Sequence, residues 1–424
     1  MDTQLLSFLK HLNTWQEIDL GLDRIKKVAH RLNPYTPTAK IITVGGTNGK
    51  GSCVYLLESI LLAAGYKVGV YTSPHLVSYL ERFRINGQEA TNDQLWSALL
   101  QIDQACAGTQ LTWFEFLTLA ACIIFQTYEL DFWILEVGLG GRLDAVNMWD
   151  PDIAVITSID LDHMDYLGHT RGAIGAEKAG IMRTKRPIIC GDIDPPSSVS
   201  TYAQKLQAPL LVQGKEFGYE EQASTWIFWS KKNFWSELPR PKILLTNAAV
   251  ALQVIELLLP DYNIALTAIK HGLQQCWIPG RFQIVAQNPW LIVDVAHNPV
   301  GGKMLAYQLR LQREQSNCER TVAIVGMLAD KDCHHTIKEV LSEVDEWYTV
   351  SLSESARGAT AETLASFLQL LQVNSFKLFP NVHAALETAC LHVSKNDRII
   401  IFGSFYTVGA AMQSSIFKGY EANH

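Results

Sequence analysis

Short, almost uninterrupted apolar runs alternate with helix-period segments along nearly the whole chain. In its first part the runs fall at 41–44, 68–72, 132–137, 153–159, 187–190 and 208–212. Strands that lack polar alternation are buried on both faces, which predicts a largely parallel sheet covered by helices. After the first run, Val54, Leu57, Leu61 and Ala64 share one helix face, and Gly65 follows as a stop. Residues 92–129 read as one long helical crossover between the second and third strands. The stretch 213–241, rich in Trp, Phe and Lys, predicts short antiparallel strands and loops, and 247–259 and 267–276 are helical again. Pro279-Gly280-Arg281 breaks the pattern and sets a domain boundary, giving domains 1–281 and 282–424. From Trp290 the alternation restarts, with strands at 291–295, 321–326, 347–351, 376–379 and 398–402. Helices at 300–313, 333–344, 360–371 and 382–394 lie between them. The predicted class is α/β: a larger, mostly parallel N-terminal domain and a smaller Rossmann-like C-terminal one without a dinucleotide fingerprint.

The join between the first strand and first helix carries the most chemical information. Val44-Gly45-Gly46-Thr47-Asn48-Gly49-Lys50-Gly51-Ser52 lies between an apolar strand and an apolar-faced helix, with another strand following. That context turns a glycine-rich string into a phosphate cradle. Backbone N–H groups of Thr47, Asn48, Gly49, Gly51 and Ser52 then face phosphate oxygens, and Lys50 adds a point charge near the β- and γ-phosphates. The strict P-loop pattern is not met: Val44 replaces its first glycine and Gly51 separates Lys50 from Ser52. A tight glycine turn is the plain alternative, but it gives Gly-Lys at a helix start little purpose. The N-terminal domain is therefore P-loop ATPase-like.

This irregular loop resembles that of the Mur ligase superfamily and, within it, the folylpolyglutamate synthase/dihydrofolate synthase family. The likeness continues through Ser73-Pro74-His75-Leu76, the segment from Leu135 to Asp144, Asp162-His163-Met164-Asp165 and Glu177-Lys178-Ala179-Gly180. It extends to Pro279-Gly280-Arg281-Phe282, Asp294-Val295-Ala296-His297-Asn298-Pro299, the segment 326–332, Arg357-Gly358-Ala359-Thr360 and Gly403-Ser404-Phe405-Tyr406. The last three point to the bacterial bifunctional branch.

Ligands of open α/β sheets sit outside the carboxyl ends of the strands. Ser73, Glu136 and residues 160–163 fall there in the first domain, and Asp294 and His297 in the second. A carboxylate at a strand tip beside a phosphate loop suits Mg²⁺, which takes oxygen donors. The resemblance implies that Glu136, Ser73 and His163 hold metal, with Asp162 and Asp165 orienting the imidazole. It implies that Lys178, otherwise an ordinary helix lysine, is carbamylated and adds an anionic oxygen donor. Lys50, Glu136, His163 and Lys178 are then the catalytic set. Asn247, Arg281, Asp294 and His297 resemble contacts to ATP, although Thr246 stands where the family often has Gln or Pro. Asp294-Val295-Ala296-His297 reads equally as a strand-end turn. Dihydropteroate contacts are implied for Ile18, Asp19 and Leu20, for Thr112, Trp113, Phe114 and Glu115, and for Leu143, Asp144 and Ala145. Without the resemblance Trp113 and Phe114 are core residues.

The resemblance implies ATP, two Mg²⁺ ions, a monovalent cation and a carbamylated Lys178, with dihydropteroate, reduced folates and L-glutamate as substrates of an ATP-dependent carboxylate–amine ligase. A folylpolyglutamate synthase alone and another Mur-type amino-acid ligase are the rivals within the class; a regulatory P-loop NTPase is the rival outside it. Hydrophobic residues make up 48% and charged residues 18% of 424, which excludes a disordered chain. The formal net charge of −7 offers nothing to a nucleic-acid backbone. The eight cysteines contain no C-x-x-C pair and read as reduced thiols. No apolar run reaches the ~18 residues of a membrane span, so the expectation is a cytoplasmic monomer with no membrane or nucleic-acid partner.

Overall fold

The computed structural model describes residues 5, 7–8, 19–32, 38–353 and 355–421. The chain forms two compact units, one of Met1–His75 with Tyr79–Trp277, the other of Leu76–Ser78 with Ile278–His424. Among the described residues the first unit carries an eight-stranded sheet: β1 (Lys40–Gly45), β2 (Val68–Tyr71), β3 (Phe83–Ile85), β4 (Gln88–Glu89), β5 (Phe132–Glu136), β6 (Ile153–Ile156), β7 (Ile188–Cys190) and β8 (Leu210–Val212). Their order is β4-β3-β2-β5-β1-β6-β7-β8, and all pairs are parallel except those made by β3 and β4. The apolar runs follow from burial on both faces. Ile41, Trp133, Leu135, Ala154 and Ile156 join one core, while Ile42, Val44, Ile134 and Val155 are buried on the other face.

The 92–129 crossover is not one helix but two, Asn92–Cys106 and Trp113–Gln126. Ala107 (φ 42°) and Gly108 (φ 82°) turn left-handed, which ends the first helix. Thr112 and Glu115 then form a reciprocal capping box that starts the second, stabilising it by about 1 kcal/mol. The edge hairpin β3–β4 was not among the predicted strands. Its signal was Asn86-Gly87, both at positive φ (52° and 80°), the two-residue turn that suits strand twist.

Residues 213–241 form the expected antiparallel strands β9 (Phe217–Glu221), β10 (Thr225–Ser230) and β11 (Phe234–Pro239). In the second unit β12 (Gln283–Gln287), β13 (Trp290–Asp294), β14 (Thr321–Val325), β15 (Glu346–Val350), β16 (Phe376–Phe379) and β17 (Arg398–Phe402) form a sheet in the order β12-β13-β17-β14-β15-β16. Only β12 is antiparallel. Alternate residues feed two cores: Leu291, Val293, Ile399 and Ile401 one side, Ile292, Ile400 and Phe402 the other. Two helices after β17, Phe405–Gln413 and Ser415–Glu421, were not foreseen.

Candidate functional site

The loop after β1 is shaped by glycine. Gly46 (φ +144°) leaves no room for a Cβ, which would lie 1.9 Å from the Thr157 Oγ1. A Cβ on Gly49 (φ +86°) would lie 2.3 Å from the Asn247 Oδ1. The loop is tied to the segment after β6. Thr47 N–H donates to the Ser158 carbonyl (2.8 Å), Asn48 N–H to the Ser158 hydroxyl (3.0 Å), and the Thr157 hydroxyl to the Asn48 carbonyl (2.6 Å). Asp160 N–H donates to the Thr47 Oγ1 at 3.0 Å. The helix Lys50–Ala63 begins at once, and the Lys50 ammonium curls back onto the carbonyls of Gly46 (3.0 Å) and Thr47 (3.3 Å). A bound phosphate offers that ammonium stronger, charge-assisted acceptors in the same place. Closely approached backbone, a helix N-terminus and a local lysine fit a nucleotide phosphate.

Glu136 ends β5, buried, and its Oε2 accepts the Ser73 N–H at 3.1 Å, which brings two predicted metal donors together. An ideal Cβ on Gly51 would lie 4.0 Å from Glu136 Oε1, so the carboxylate stands over the first turn of the helix. His163 adopts a left-handed conformation (φ 49°, ψ 43°); its N–H donates to Asp162 Oδ1 at 2.9 Å, and its Nε2 is 3.9 Å from Asp162 Oδ2. Lys178 is buried on the helix Arg171–Ala179. Burial, and next the charge of Lys50, bring its ammonium down to about 7, while Asp162 acts the other way. Lys50, Lys178 and Asp162 therefore share one electrostatic neighbourhood. Among the described residues no three His, Cys, Asp or Glu side chains gather as a ready metal site. The predicted donors supply one carboxylate, one imidazole and one hydroxyl. An amine with a depressed pKa is the reactive form toward CO₂, and a carbamate there adds the oxygen donors that fit a hard divalent cation.

The glycines after Glu136 serve close packing. A Cβ on Gly138 would lie 2.6 Å from the Phe114 ring, and one on Gly141 would lie 2.9 Å from the Glu177 carbonyl. Phe114 is thus held against this loop, tilted at 5.9 Å from Tyr71. Asp144, fully enclosed beside the loop, accepts N–H bonds from Leu139 (2.8 Å) and Val146 (3.0 Å). Burial pushes its carboxyl up to about 7 against the pull of those bonds. Ala145 is buried next to it and Leu143 is half-buried. Trp113 packs edge-on against Tyr79 at 5.1 Å, partly in the core.

Arg24, which sequence reasoning missed, connects two predicted substrate segments. It pairs with the Asp19 carboxylate and donates from Nε to Glu115 Oε2 at 2.7 Å. Glu115 Oε2 also accepts the Thr112 N–H (2.7 Å), while its buried Oε1 has no partner. Leu20 is half-buried and Ile18 lies outside the described residues. Asn247 is buried in the first turn of the helix Leu245–Leu258, against Gly49.

In the second unit, Asp294 ends β13 and accepts from Phe282 N–H and Ala296 N–H, both at 2.7 Å. Burial raises its pKa, opposed by Arg281 and those bonds. His297 Nδ1 lies 2.8 Å from the Val295 carbonyl, and Phe405 adjoins both His297 (6.4 Å) and the Arg281 guanidinium (5.9 Å). The strand-end turn expected of 294–297 is present. Phe405 was visible in sequence only as part of a motif.

Two family models match the chain: the Mur ligase middle domain over residues 44–234 and the Mur ligase glutamate ligase domain over residues 280–405. A dihydrofolate synthase/folylpolyglutamate synthase of Escherichia coli strain K12 is 42% identical, the match covering 96% of this chain and 94% of that one. The structure of E. coli FolC in complex with DHPP and ADP superimposes with a TM-score of 0.91 at 41% identity, covering 99% of this chain and 98% of that one. A bifunctional folylpolyglutamate synthase/dihydrofolate synthase with Mn, AMPPNP and L-glutamate bound gives a TM-score of 0.89 at 42% identity, covering 96% and 97%. No helix among the described residues is long and apolar enough to cross a membrane. With both domain models in order and full-length likeness in sequence and structure, the chain belongs to the dihydrofolate synthase/folylpolyglutamate synthase family of Mur ligases.

Proposed function

We propose that this protein uses ATP to join L-glutamate to dihydropteroate, forming dihydrofolate, and to reduced folates, forming their polyglutamates. The observation that carries the reading is the glycine cradle at Gly46–Gly49, with Lys50 at the helix start and the buried Glu136 standing over it. The substrates are those in the names of its relatives, and solved members of the family hold ADP, AMPPNP, Mn and L-glutamate. We assign residues 1–281 to ATP and acceptor binding and residues 282–424 to glutamate ligation, in a monomer of the cytoplasm.

In the reaction an acceptor carboxylate oxygen attacks the γ-phosphorus of ATP, and ADP departs. The glutamate amine attacks the acyl phosphate carbon and loses a proton, and inorganic phosphate leaves as the amide forms. Positioning and charge neutralisation suffice for this chemistry, and no nucleophilic side chain is required. The N–H groups of residues 49–52 and the Lys50 ammonium receive the phosphates; the N–H groups of Thr47 and Asn48, expected to do so, are instead bonded to Ser158 and brace the loop. Asn247, Arg281, Asp294 and His297 hold the rest of ATP. Ser73, Glu136, His163 and carbamylated Lys178 are the donors for two Mg²⁺ ions, accompanied by a monovalent cation. Divalent metal there offsets charge on the transferring phosphoryl group. We assign the pterin to Ile18, Asp19 and Leu20, to Thr112 to Glu115 and to Leu143 to Ala145. Phe114 offers a stacking face, while Asp144 and Glu115 accept ring N–H groups.

ADP release measured with ATP, Mg²⁺, glutamate and each acceptor in turn tests the function. Release is expected only when glutamate and an acceptor are both present. Equal ADP release from ATP alone identifies a free-running NTPase instead. Release with reduced folate but never with dihydropteroate reduces the protein to a folylpolyglutamate synthase.

A further inference from the structure

Arg82 is a buried cation that has no ion-paired carboxylate among the described residues. It closes the turn Tyr79–Arg82 that leads into β3, and Thr72 N–H donates to its carbonyl at 3.0 Å. Because β3 runs antiparallel to β2, with Tyr71 opposite Phe83, this places Arg82 at the carboxyl end of β2, where Ser73 also lies. The residue is only 7% exposed. Its Nε donates to His75 Nδ1 at 2.9 Å, so that nitrogen carries no proton and the imidazole gives no negative charge. The Tyr71 and Tyr79 hydroxyls are close enough to favour its charge, Tyr71 through a hydrogen bond. Among the described residues no carboxylate lies within ion-pair distance of it, although Glu136 is close enough to favour its charge. The neighbouring Arg84 shows the usual solution for a buried guanidinium, a 2.5 Å pair with Glu58.

Burying an unpaired charge costs several kcal/mol, so such a group persists where an anion completes it. Its surroundings say which anion. One neighbour, Tyr71, leads to Phe114 of the proposed pterin pocket. The other direction leads to Glu136 and the phosphate cradle. Between a pterin ring and the γ-phosphate lies the acceptor's carboxylate. We propose that Arg82 receives the carboxylate of the acceptor, holding it in line with the phosphate cradle before it is phosphorylated. This rests on the proposed function and adds a residue to it.

The test is binding of 7,8-dihydropteroate and of its methyl ester, which keeps the ring and loses the anion, to the full chain by calorimetry without ATP. The wild-type protein should prefer the acid. Arg82→Gln should weaken binding of the acid by about 10- to 100-fold, the range of a charge-assisted hydrogen bond, and leave the ester nearly unchanged. Arg82→Lys, the milder change, should give an acid-to-ester ratio between those two, and it carries the comparison if Arg82→Gln does not fold. Acid and ester weakened equally in both variants would mean that Arg82 only braces His75 and Tyr71, and the proposal falls. An unchanged ratio has the same consequence. A wild-type protein that binds neither compound overturns the proposed function itself, and with it the role of Arg82.

Discussion

Lys50 and Lys178 are both lysines near one cradle, yet their environments set opposite tasks. Lys50 sits at the helix start, with an ammonium that three hydrogen-bonding directions can turn from loop carbonyls to phosphate. Its removal takes a charge from a phosphate site, so Lys50→Ala is expected to lower turnover by about 10²-fold or more at saturating ATP. Near-normal turnover in that variant would sink the cradle assignment. Lys178 is held at about 7 by burial and by Lys50. Below that value the folded and unfolded chains both carry the proton, and the full cost of a buried ammonium is present. Between about 7 and the ordinary lysine value of 10.5 the unfolded chain binds more protons than the folded one, so this cost fades as pH rises. In CO₂-free buffer Lys178→Met should therefore be the more stable protein at pH 6.5, by more than about 1 kcal/mol. The gap to the wild type should close toward pH 10. Urea unfolding of both proteins across that range checks it, and a gap independent of pH contradicts the assigned environment.

At the scale of elements, much of the first unit was legible because its central strands are buried on both faces and the helix Lys50–Ala63 stops before Gly65. What escaped has physical reasons. The crossover 92–129 looked continuous because apolar positions run through it. Its break depends on Ala107 adopting a left-handed conformation, which alanine does not advertise. The β3–β4 hairpin escaped because Phe83–Ile85 and Gln88–Glu89 are too short to show a period, although Asn86-Gly87 signalled the turn. The motif residues of the candidate site could be picked out in sequence. Arg24 and Arg82 could not, since only the fold shows that one bridges Asp19 and Glu115 and that the other is buried with no ion-paired carboxylate among the described residues. Arg84 of the same hairpin is tied to the helix Lys50–Ala63 by Glu58, with the Tyr55 ring 3.7 Å from its guanidinium. Glu58→Ala would strand Arg84 in the interior and should destabilise the protein by about 3–5 kcal/mol, seen as a lower urea midpoint. A loss under about 1 kcal/mol would show that Arg84 finds water instead. At the other end of that helix, a methyl on Gly49 meets both a left-handed backbone and the Asn247 amide. Gly49→Ala should weaken ATP binding by about tenfold or more and lower the thermal midpoint by several degrees, because backbone strain of roughly 1–3 kcal/mol in the folded loop counts against stability.

For the whole molecule, the central question is how one chain serves two acceptors of different length. In the first unit Glu136 stands over the first turn of the helix that Lys50 begins, and Lys178 feels the charge of Lys50, so on the proposed function these groups serve one phosphate position. Whatever lies at the far end of the acceptor, its terminal carboxylate must reach the same γ-phosphate. Both activities should consequently depend on the same residues at that end. Glu136→Ala is expected to remove dihydropteroate-dependent and tetrahydrofolate-dependent ADP release together, with the far-ultraviolet circular dichroism of the folded protein retained. The two activities need not respond alike at the ring end. Asp144, proposed above to meet the ring, is enclosed, with a carboxyl raised to about 7 and bonded to backbone N–H groups. A neutral carboxyl donates as well as accepts, whereas an anion only accepts, so the hydrogen bonds it offers a pterin change across neutrality. Asp144→Ala should accordingly raise the KM for dihydropteroate by about tenfold or more, leave ATP affinity unchanged, and flatten the pH dependence of that KM between pH 6 and 8. Steady-state ADP release at fixed glutamate and ATP measures all three. If the pH dependence persists in Asp144→Ala, the titrating group lies elsewhere. If ATP affinity falls with it, Asp144 supports the cradle and not the pterin.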